Sequence, residues 1–164
     1  MSLYRFRRYG TPGCREQLMT MKKIVAVSLI AIALTGCATT PIPSTMAKPA
    51  PPDRLLAFQV KPSEPFGTLT ITRDVGHIGS ACFYAISING TPAARLDVAE
   101  KATFYVTPGE VLLRSGSDLY GKGLCSHDKN VWTQRETQLK PGETKYFRMS
   151  IDENGKTDIQ RSDP

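Results

Sequence analysis

The sequence predicts an all-β domain over residues 55–164, an antiparallel β-sandwich of about seven or eight strands. Apolar residues recur at every second position in several runs, which is the period of a strand with one buried face. β-Branched and aromatic residues dominate these runs, and turn-forming pairs separate them at short intervals. No segment shows the apolar spacing of a convincing amphipathic helix, so two packed sheets are the expected architecture.

The strand runs identify the candidate core. The clearest runs cover residues 68–73, 82–88, 102–106 and 147–151. In the first run Leu69, Ile71 and Arg73 share one face, and threonines occupy the other. A pleated surface with one buried face favours this composition, so the apolar alternate positions are predicted to point inward.

Glycine-containing turns separate the predicted strands. Asn89-Gly90 fits a type I′ hairpin, which needs positive φ at both central residues. Residues 107–110 and 140–143 each place Pro before Gly, as a type II turn requires. Residues 152–155 are predicted to close a last hairpin.

Residues 1–36 form a leader in which Met21 is the expected start. Lys22 and Lys23 precede an uncharged, mostly apolar run of eleven residues from Ile24 to Leu34. As a helix this run spans about 16 Å, too short for the roughly 30 Å of a bilayer core. It is typical of a signal peptide over residues 21–36, and residues 1–20 are expected to precede the true initiator.

The apolar run ends in Leu34-Thr35-Gly36-Cys37, which resembles the lipobox of bacterial lipoproteins. The resemblance implies cleavage before Cys37 and a diacylglycerol on its sulfur, so that the mature protein is held in the membrane by acyl chains. Each buried methylene contributes about 0.8 kcal/mol to such an anchor. Ala38, where an aspartate would favour the inner membrane, implies the periplasmic face of the outer membrane. The alternative is an ordinary secretory signal with a coincidental cysteine.

Residues 37–54 are predicted to be the lipidated cysteine and a flexible tether. Five of the 17 residues in 38–54 are proline, and they follow no periodic apolar pattern. Such a stretch tends toward extended polyproline II. At about 3.1 Å per residue, it would hold the domain up to roughly 50 Å from the bilayer.

The positive charge of the chain is concentrated in the leader. The sequence has 21 Lys and Arg and 15 Asp and Glu, a formal charge of +6, and residues 1–36 hold six of the bases but one acid. The other 15 bases and 14 acids give residues 37–164 a net charge of +1. A nearly neutral body disfavours nucleic acid as a partner.

Three segments of the body carry a second resemblance: NGTPAARL (89–96), FYVTPGEVLL (104–113) and LKPGETKYFR (139–148). They resemble a group of small bacterial envelope lipoproteins of unknown function. The resemblance implies a transthyretin-like or prealbumin-like β-sandwich, a two-sheet architecture like that of immunoglobulin domains. It implies no catalytic residues, since none is established for the group.

Cys82 and Cys125 are the cysteines left in the body. An even pair in an oxidising compartment predicts a disulfide. The alternative is a Cys₂His₂ zinc site formed with His77 and His127. Their spacings differ from those of zinc fingers, and oxidation removes the thiols, so we expect no metal and no other cofactor.

The segment 115–132 is the least regular part of the body, and long connections of this kind are often functional. Aromatic and basic side chains are the types that anchor protein interfaces. The candidate partner-binding residues are therefore Ser115, Tyr120, Lys122, His127 and Trp132. A solvated connection with Trp132 packed into the core is the competing interpretation.

Two functions remain for such a protein. The first is a binding or structural module of the cell envelope, anchored by its lipid and bound to an envelope protein. The second is a periplasmic inhibitor of a wall-degrading enzyme, because Ser115-Gly116 followed by Tyr120 is similar to the Ser-Gly-x-x-Tyr loop of lysozyme-inhibitor lipoproteins, with the tyrosine one residue later. No set of side chains has the spacing of a catalytic site, so we expect no enzymatic activity.

Overall fold

A computed structural model describes residues 39–118, 120–122, 125 and 132–164 of the chain. The predicted signal peptide, Cys37 and His127 lie outside these residues. The described part is a sandwich of two β-sheets, which confirms the predicted fold class. It contains nine strands: β1 Lys48–Pro49, β2 Gly67–Arg73, β3 Tyr84–Ile88, β4 Thr91–Leu96, β5 Glu100–Val106, β6 Gly109–Ser117, β7 Trp132–Leu139, β8 Thr144–Ile151 and β9 Thr157–Ser162. One short 3-10 helix covers Pro52–Arg54.

One sheet has five strands in the order β1-β5-β2-β8-β9, and the other has four in the order β4-β3-β6-β7. The four-stranded sheet is antiparallel throughout. In the five-stranded sheet β2 runs parallel to β8, and β1 runs parallel to β5. The first sheet is therefore mixed rather than wholly antiparallel, because the chain crosses to the other sheet between β2 and β8.

The core lies between the sheets and uses the alternate positions predicted from the sequence. Leu69 and Ile71 of β2 are fully buried, and Ile86 of β3 and Leu113 of β6 meet them from the other sheet. Burial of such side chains contributes about 1.5–3 kcal/mol each. The other predicted inward positions are buried as well: Ile88, Ala102, Phe104, Val106, Phe147, Met149 and Ile151.

The turns at 89–90 and 140–143 follow the predicted chemistry, whereas the type II turn predicted at 107–110 is wrong, because Gly109 has φ of 132° and begins β6. Asn89 and Gly90 have φ of 48° and 80° and close the β3–β4 hairpin, as a type I′ turn requires. In residues 140–143 Gly142 has φ of 71°, and the N–H of Glu143 donates to the Lys140 carbonyl at 3.1 Å. This turn and the one at 107–108 each carry the chain from one sheet to the other, so neither belongs to a hairpin.

Residues 39–54 are not a free tether, because they lie against the sandwich. Ala47 and Ala50 are buried. The N–H groups of Lys48 and Ala50 donate to the carbonyls of Ala99 and Lys101, at 2.9 and 2.8 Å. Pro49 sits between these two donors, at a position where an edge strand tolerates the missing N–H. The extended backbone that suggested a polyproline tether therefore serves as an edge strand of the domain.

The same segment continues across the gap between the two sheets, and we call residues 39–58 the strap. Leu55 forms an antiparallel bridge with Ala94 of β4, and the N–H of Leu56 donates to Ala93 at 2.8 Å. On the other sheet, the N–H of Tyr105 donates to the Phe58 carbonyl at 2.9 Å. The strap thus covers β5 with β1 and covers β4 with its last residues.

Side chains join the opposite edges of the sheets, where β7 lies beside β9. The hydroxyl of Thr133 donates to the carbonyl of Thr157, and Nε of Arg135 donates to the carbonyl of Ile159 at 3.0 Å. Nη2 of Arg135 also pairs with Asp158 at 2.9 Å. Two carbonyls of the β9 edge are therefore occupied by side chains of β7.

The strand directions divide the connections between two ends of the sandwich. At one end β2 and β8 finish and β5 and β9 begin, and we call this the loop end. It carries residues 74–83, 97–99, 118, 120–122, 125 and 152–156. The opposite end, which we call the turn end, carries residues 89–90, 107–108 and 140–143.

Candidate interaction site at the loop end

A disulfide fixes two segments of the loop end to each other. The sulfurs of Cys82 and Cys125 are 2.02 Å apart and their Cα atoms are 5.4 Å apart. The predicted pairing is therefore present. It uses two of the four side chains of the zinc alternative, and His127, a third, lies outside the described residues.

Ser115 cannot contact a partner as predicted, because its side chain points into the sandwich. The residue is 0% exposed, and its hydroxyl donates to Oγ1 of Thr157 at 2.9 Å. Oγ1 of Thr157 donates in turn to the Ser115 carbonyl at 2.9 Å. Ser115 thus joins β6 to β9 between the two sheets.

The other described candidates lie at or near the surface. Trp132 begins β7 and pairs with Gly116 on the outer face of the four-stranded sheet, so it is not a core residue. Its half-buried side chain lines a groove of about 150 Å³ together with Ser87 and Arg114. Lys122 is exposed, and Tyr120 is 60% exposed.

Asp118 binds both the backbone of Tyr120 and the side chain of Arg95, which lies against the Tyr120 ring. Its carboxylate is 2% exposed and accepts two hydrogen bonds from Arg95, from Nε at 2.8 Å and from Nη2 at 2.6 Å. Oδ1 also accepts the N–H of Tyr120 at 3.1 Å. The hydrogen bond with Asp118 raises the pKa of Arg95 above its ordinary value.

The ring of Tyr120 is the outer member of a stack in which guanidinium groups and aromatic rings alternate. The Arg95 guanidinium lies 5.3 Å from the centre of the Tyr120 ring and 5.1 Å from that of Phe83. The Arg54 guanidinium lies on Phe83 as well, at 4.4 Å. We call Arg54, Phe83, Arg95 and Tyr120 the cation–aromatic ladder; each contact of this type contributes about 0.5–1 kcal/mol or more when desolvated.

Glu100 orients the inner end of the ladder. Its carboxylate accepts hydrogen bonds from both terminal nitrogens of Arg54, at 2.7 and 2.5 Å. It also accepts the N–H of Asp97 at 2.8 Å, which fixes it against the β4–β5 turn. Both arginines of the ladder are therefore held by two-point carboxylate contacts, the geometry that positions a guanidinium best.

A buried arginine supports the backbone beneath Phe83. Arg73, on the same face of β2 as Leu69 and Ile71, is almost fully buried, and it donates to the carbonyls of Gly79, Cys82 and Leu96 at 2.7, 2.7 and 2.8 Å. Its guanidinium also lies 4.8 Å from the centre of the Tyr84 ring. Burial lowers the pKa of Arg73 from its ordinary value. These contacts fix the connection 74–83, and with it the position of Phe83.

The ladder brings together residues that sequence reasoning did not connect. Tyr120 was a candidate, but Phe83, Arg95 and Asp118 come from three separate parts of the chain. Arg54 lies in the segment predicted as a tether. These residues are far apart in the sequence, so no local pattern of residue types identifies them as neighbours.

The ladder is a candidate binding surface, because its outer ring is exposed and lies against the Arg95 guanidinium. Among the described residues, no group of three or more His, Cys, Asp or Glu side chains is placed to hold a metal ion. No helix in the described part of the chain is both long enough and apolar enough to cross a membrane. The sequence matches no protein-family model and no curated protein.

Proposed function

We propose that this protein is a lipid-anchored module of the bacterial outer membrane that binds an envelope protein through the cation–aromatic ladder. The observation that carries the proposal is Tyr120, which is 60% exposed and yet fixed through Arg95 and Asp118. An exposed aromatic side chain held in one position loses little conformational entropy when a partner covers it. Such tyrosines are typical centres of protein interfaces.

The neighbours of Tyr120 add to the same surface. Lys122 is exposed beside it, and the Arg95 side chain is partly exposed below its ring. An aromatic ring over an arginine can meet an apolar side chain and a carboxylate of a partner at once. The proposed partner surface is therefore mixed, with an apolar centre and an acidic rim.

The sequence of the leader supports the anchor. Two lysines, an apolar run and Leu34-Thr35-Gly36-Cys37 stand in the order of a lipoprotein signal. Metabolic labelling with palmitate tests it: the label should enter the wild-type protein and should be absent from Cys37→Ala. An unmodified Cys37 in the membrane-bound protein would contradict the anchor.

Crosslinking in intact envelopes, followed by purification of the complex, tests the binding surface. Tyr120→Ala should reduce the captured complex about tenfold or more, as removal of a central interface residue does. Tyr120→Phe keeps the ring and should lose much less. Val60→Ala is the matched control, since Val60 is an exposed apolar residue at 84% outside the ladder. Equal losses in Tyr120→Ala and Val60→Ala would refute the ladder as the binding surface.

The inhibitor alternative receives less support from the geometry. Of the two residues that carried its resemblance, Ser115 is buried between the sheets and only Tyr120 is exposed. A loop that blocks an active site must present its polar group to the enzyme. Inhibition of lysozyme by micromolar protein would favour the inhibitor and would contradict the proposal of a structural or adaptor role.

A further inference from the structure

Thr39 is the first described residue, and the domain holds it tightly. Its N–H donates to the Ile151 carbonyl at 3.2 Å, and its hydroxyl accepts the N–H of Ile151 at 2.9 Å. The hydroxyl also lies 3.4 Å from Oδ2 of Asp74. Gly76 packs so closely on it that an added Cβ would lie 2.9 Å from Cγ2 of Thr39. Thr39 is therefore part of the packed domain.

Residues 40–50, which follow Thr39, are also hydrogen-bonded to the domain. Thr40 and Val75 exchange backbone hydrogen bonds of 2.7 and 3.0 Å. The strap then pairs with β5 through β1, and Lys101 donates from Nζ to the Ser44 carbonyl at 2.6 Å. Residues 39–54, which were predicted to be a spacer, are therefore bound to the domain and do not extend away from it.

The distance between anchor and domain is consequently short. One residue, Ala38, separates Cys37 from Thr39, and these two steps along the chain extend about 7 Å at most. A free chain of the length of 38–54 would have allowed roughly 50 Å. A lipid on Cys37 would therefore hold the domain next to the headgroups of the bilayer.

The position of Thr39 in the fold decides which end of the domain is held there. Ile151 is the last residue of β8, and Asp74 and Val75 follow the last residue of β2, so Thr39 lies at the loop end. Tyr120 lies at this end as well, three residues after β6 finishes. The turn end is farther from the anchor by the length of the strands, about 23 Å for the seven residues of β2.

We infer that the sandwich is held with its loop end at the bilayer surface and that its partner is a protein embedded in that membrane. The inference rests on the proposed lipidation of Cys37. A soluble partner would have to enter the gap between the loop end and the headgroups to reach Tyr120. A membrane protein presents its own surface in that gap, and the short anchor restricts both proteins to one plane, which raises their effective concentration.

Fluorescence quenching in liposomes tests the orientation of the lipidated protein. A fluorophore is attached to Lys156→Cys at the loop end or, as the matched control, to Glu110→Cys at the turn end; both side chains are exposed. Lipids with a spin label in the headgroup should quench the probe at 156 at least about twofold more than the probe at 110, because quenching falls off within the length of the strands. Equal quenching, or stronger quenching at 110, would overturn the inference.

Two further arms separate this inference from the proposed function. A flexible insertion of 20 Gly and Ser residues between Ala38 and Thr39 should remove the difference between the probes and leave the unfolding midpoint unchanged; a difference that persists would overturn the inference.

A photocrosslinker at Lys122 should capture an integral membrane protein, and capture of a soluble protein would overturn the inference. Mass spectrometry of the N-terminal peptide reports the acyl group: its absence overturns the anchor and the inference together, whereas acylated protein with equal quenching overturns the inference alone.

Discussion

The hydroxyls of Ser115 and Thr157 meet 2.9 Å apart between the two sheets, where the surrounding core is apolar. Thr157 also donates to the carbonyl of Ser115. Each hydroxyl therefore has a partner on the opposite sheet, which is the condition for burying a polar group without a penalty.

Thr157→Val should destabilise the domain more than Ser115→Ala. The valine leaves the buried Ser115 hydroxyl without its partner, which costs about 1–3 kcal/mol, whereas Ser115→Ala removes one hydrogen bond worth about 1 kcal/mol. Urea unfolding of both variants and of the double variant measures the coupling between them. The prediction fails if the two single variants lose the same stability.

Reduction of the disulfide should lower the free energy of unfolding by about 4 kcal/mol, the chain-entropy value for a loop of this length. Cys82 and Cys125 are 43 positions apart, so the bridge restricts a large part of the unfolded chain. Thermal unfolding with and without a reductant gives the difference, and Cys82→Ser with Cys125→Ser is the permanent version. An unchanged midpoint, or two free thiols in the denatured unreduced protein, would show that the bridge does not form in solution.

Arg73→Met should destabilise the domain by about 3 kcal/mol or more, because three buried carbonyls lose a charged donor at once. Arg73→Lys keeps the charge, but its single ammonium cannot reproduce the planar fork that reaches Gly79, Cys82 and Leu96. We expect the lysine variant to be intermediate in urea unfolding. Hydrogen exchange should show the loss of protection first in residues 74–83, and wild-type stability of Arg73→Lys would contradict this account.

The turn at residues 140–143 should weaken in acid. The backbone N–H of Lys140 donates to Glu143 at 2.8 Å and, together with Lys145, holds the pKa of Glu143 below its ordinary value of 4.5. A carboxylate with a lowered pKa stabilises the fold above its unfolded pKa, and this contribution is lost as the pH falls through the folded value. Glu143→Gln should therefore remove part of the pH dependence of unfolding below about pH 4.5. An identical acid profile for the variant would exclude this contribution.

A chain that starts at Leu55, the boundary predicted from the sequence, should be much less stable than one that starts at Thr39. It lacks β1 and leaves Glu100 without Arg54, and the loss of one partner of a buried pair alone costs about 3–5 kcal/mol. Guanidinium unfolding of the two chains measures the difference. Equal stability would show that the strap adds nothing to the fold.

The sequence was sufficient for features that depend on neighbouring residues. Turn residues such as Asn89-Gly90 and alternating runs such as Leu69–Ile71 determine local geometry, and the structure confirms both. The inward direction of Ser115 follows from the same alternation, because Val111 and Leu113 precede it at every second position. The irregular composition of 115–132 predicts a loop there instead, and for Ser115 this prediction is wrong.

The strap and the ladder could not be predicted in this way. Arg54 and Glu100 are 46 positions apart, and Arg95 and Asp118 are 23 apart, so each pair depends on the tertiary fold rather than on neighbouring residues. A proline-rich segment has the same extended backbone in a free tether and in an edge strand. What distinguishes the two is the presence of unpaired backbone groups on β4 and β5, and these depend on the tertiary fold.

The contacts of Thr133 and Arg135 with the edge of β9 have a further consequence for a protein held on a surface. Anchoring to a membrane confines molecules to two dimensions, where copies of the same chain collide often and with similar orientation. Exposed strand edges would then favour polymerisation through shared sheets. Because β7 side chains occupy carbonyls of β9 and the strap lies along β4 and β5, neighbouring molecules find few backbone groups to pair with. If Cys37 carries the proposed lipid, these covered edges would favour separate molecules over shared sheets when the protein is crowded on a membrane.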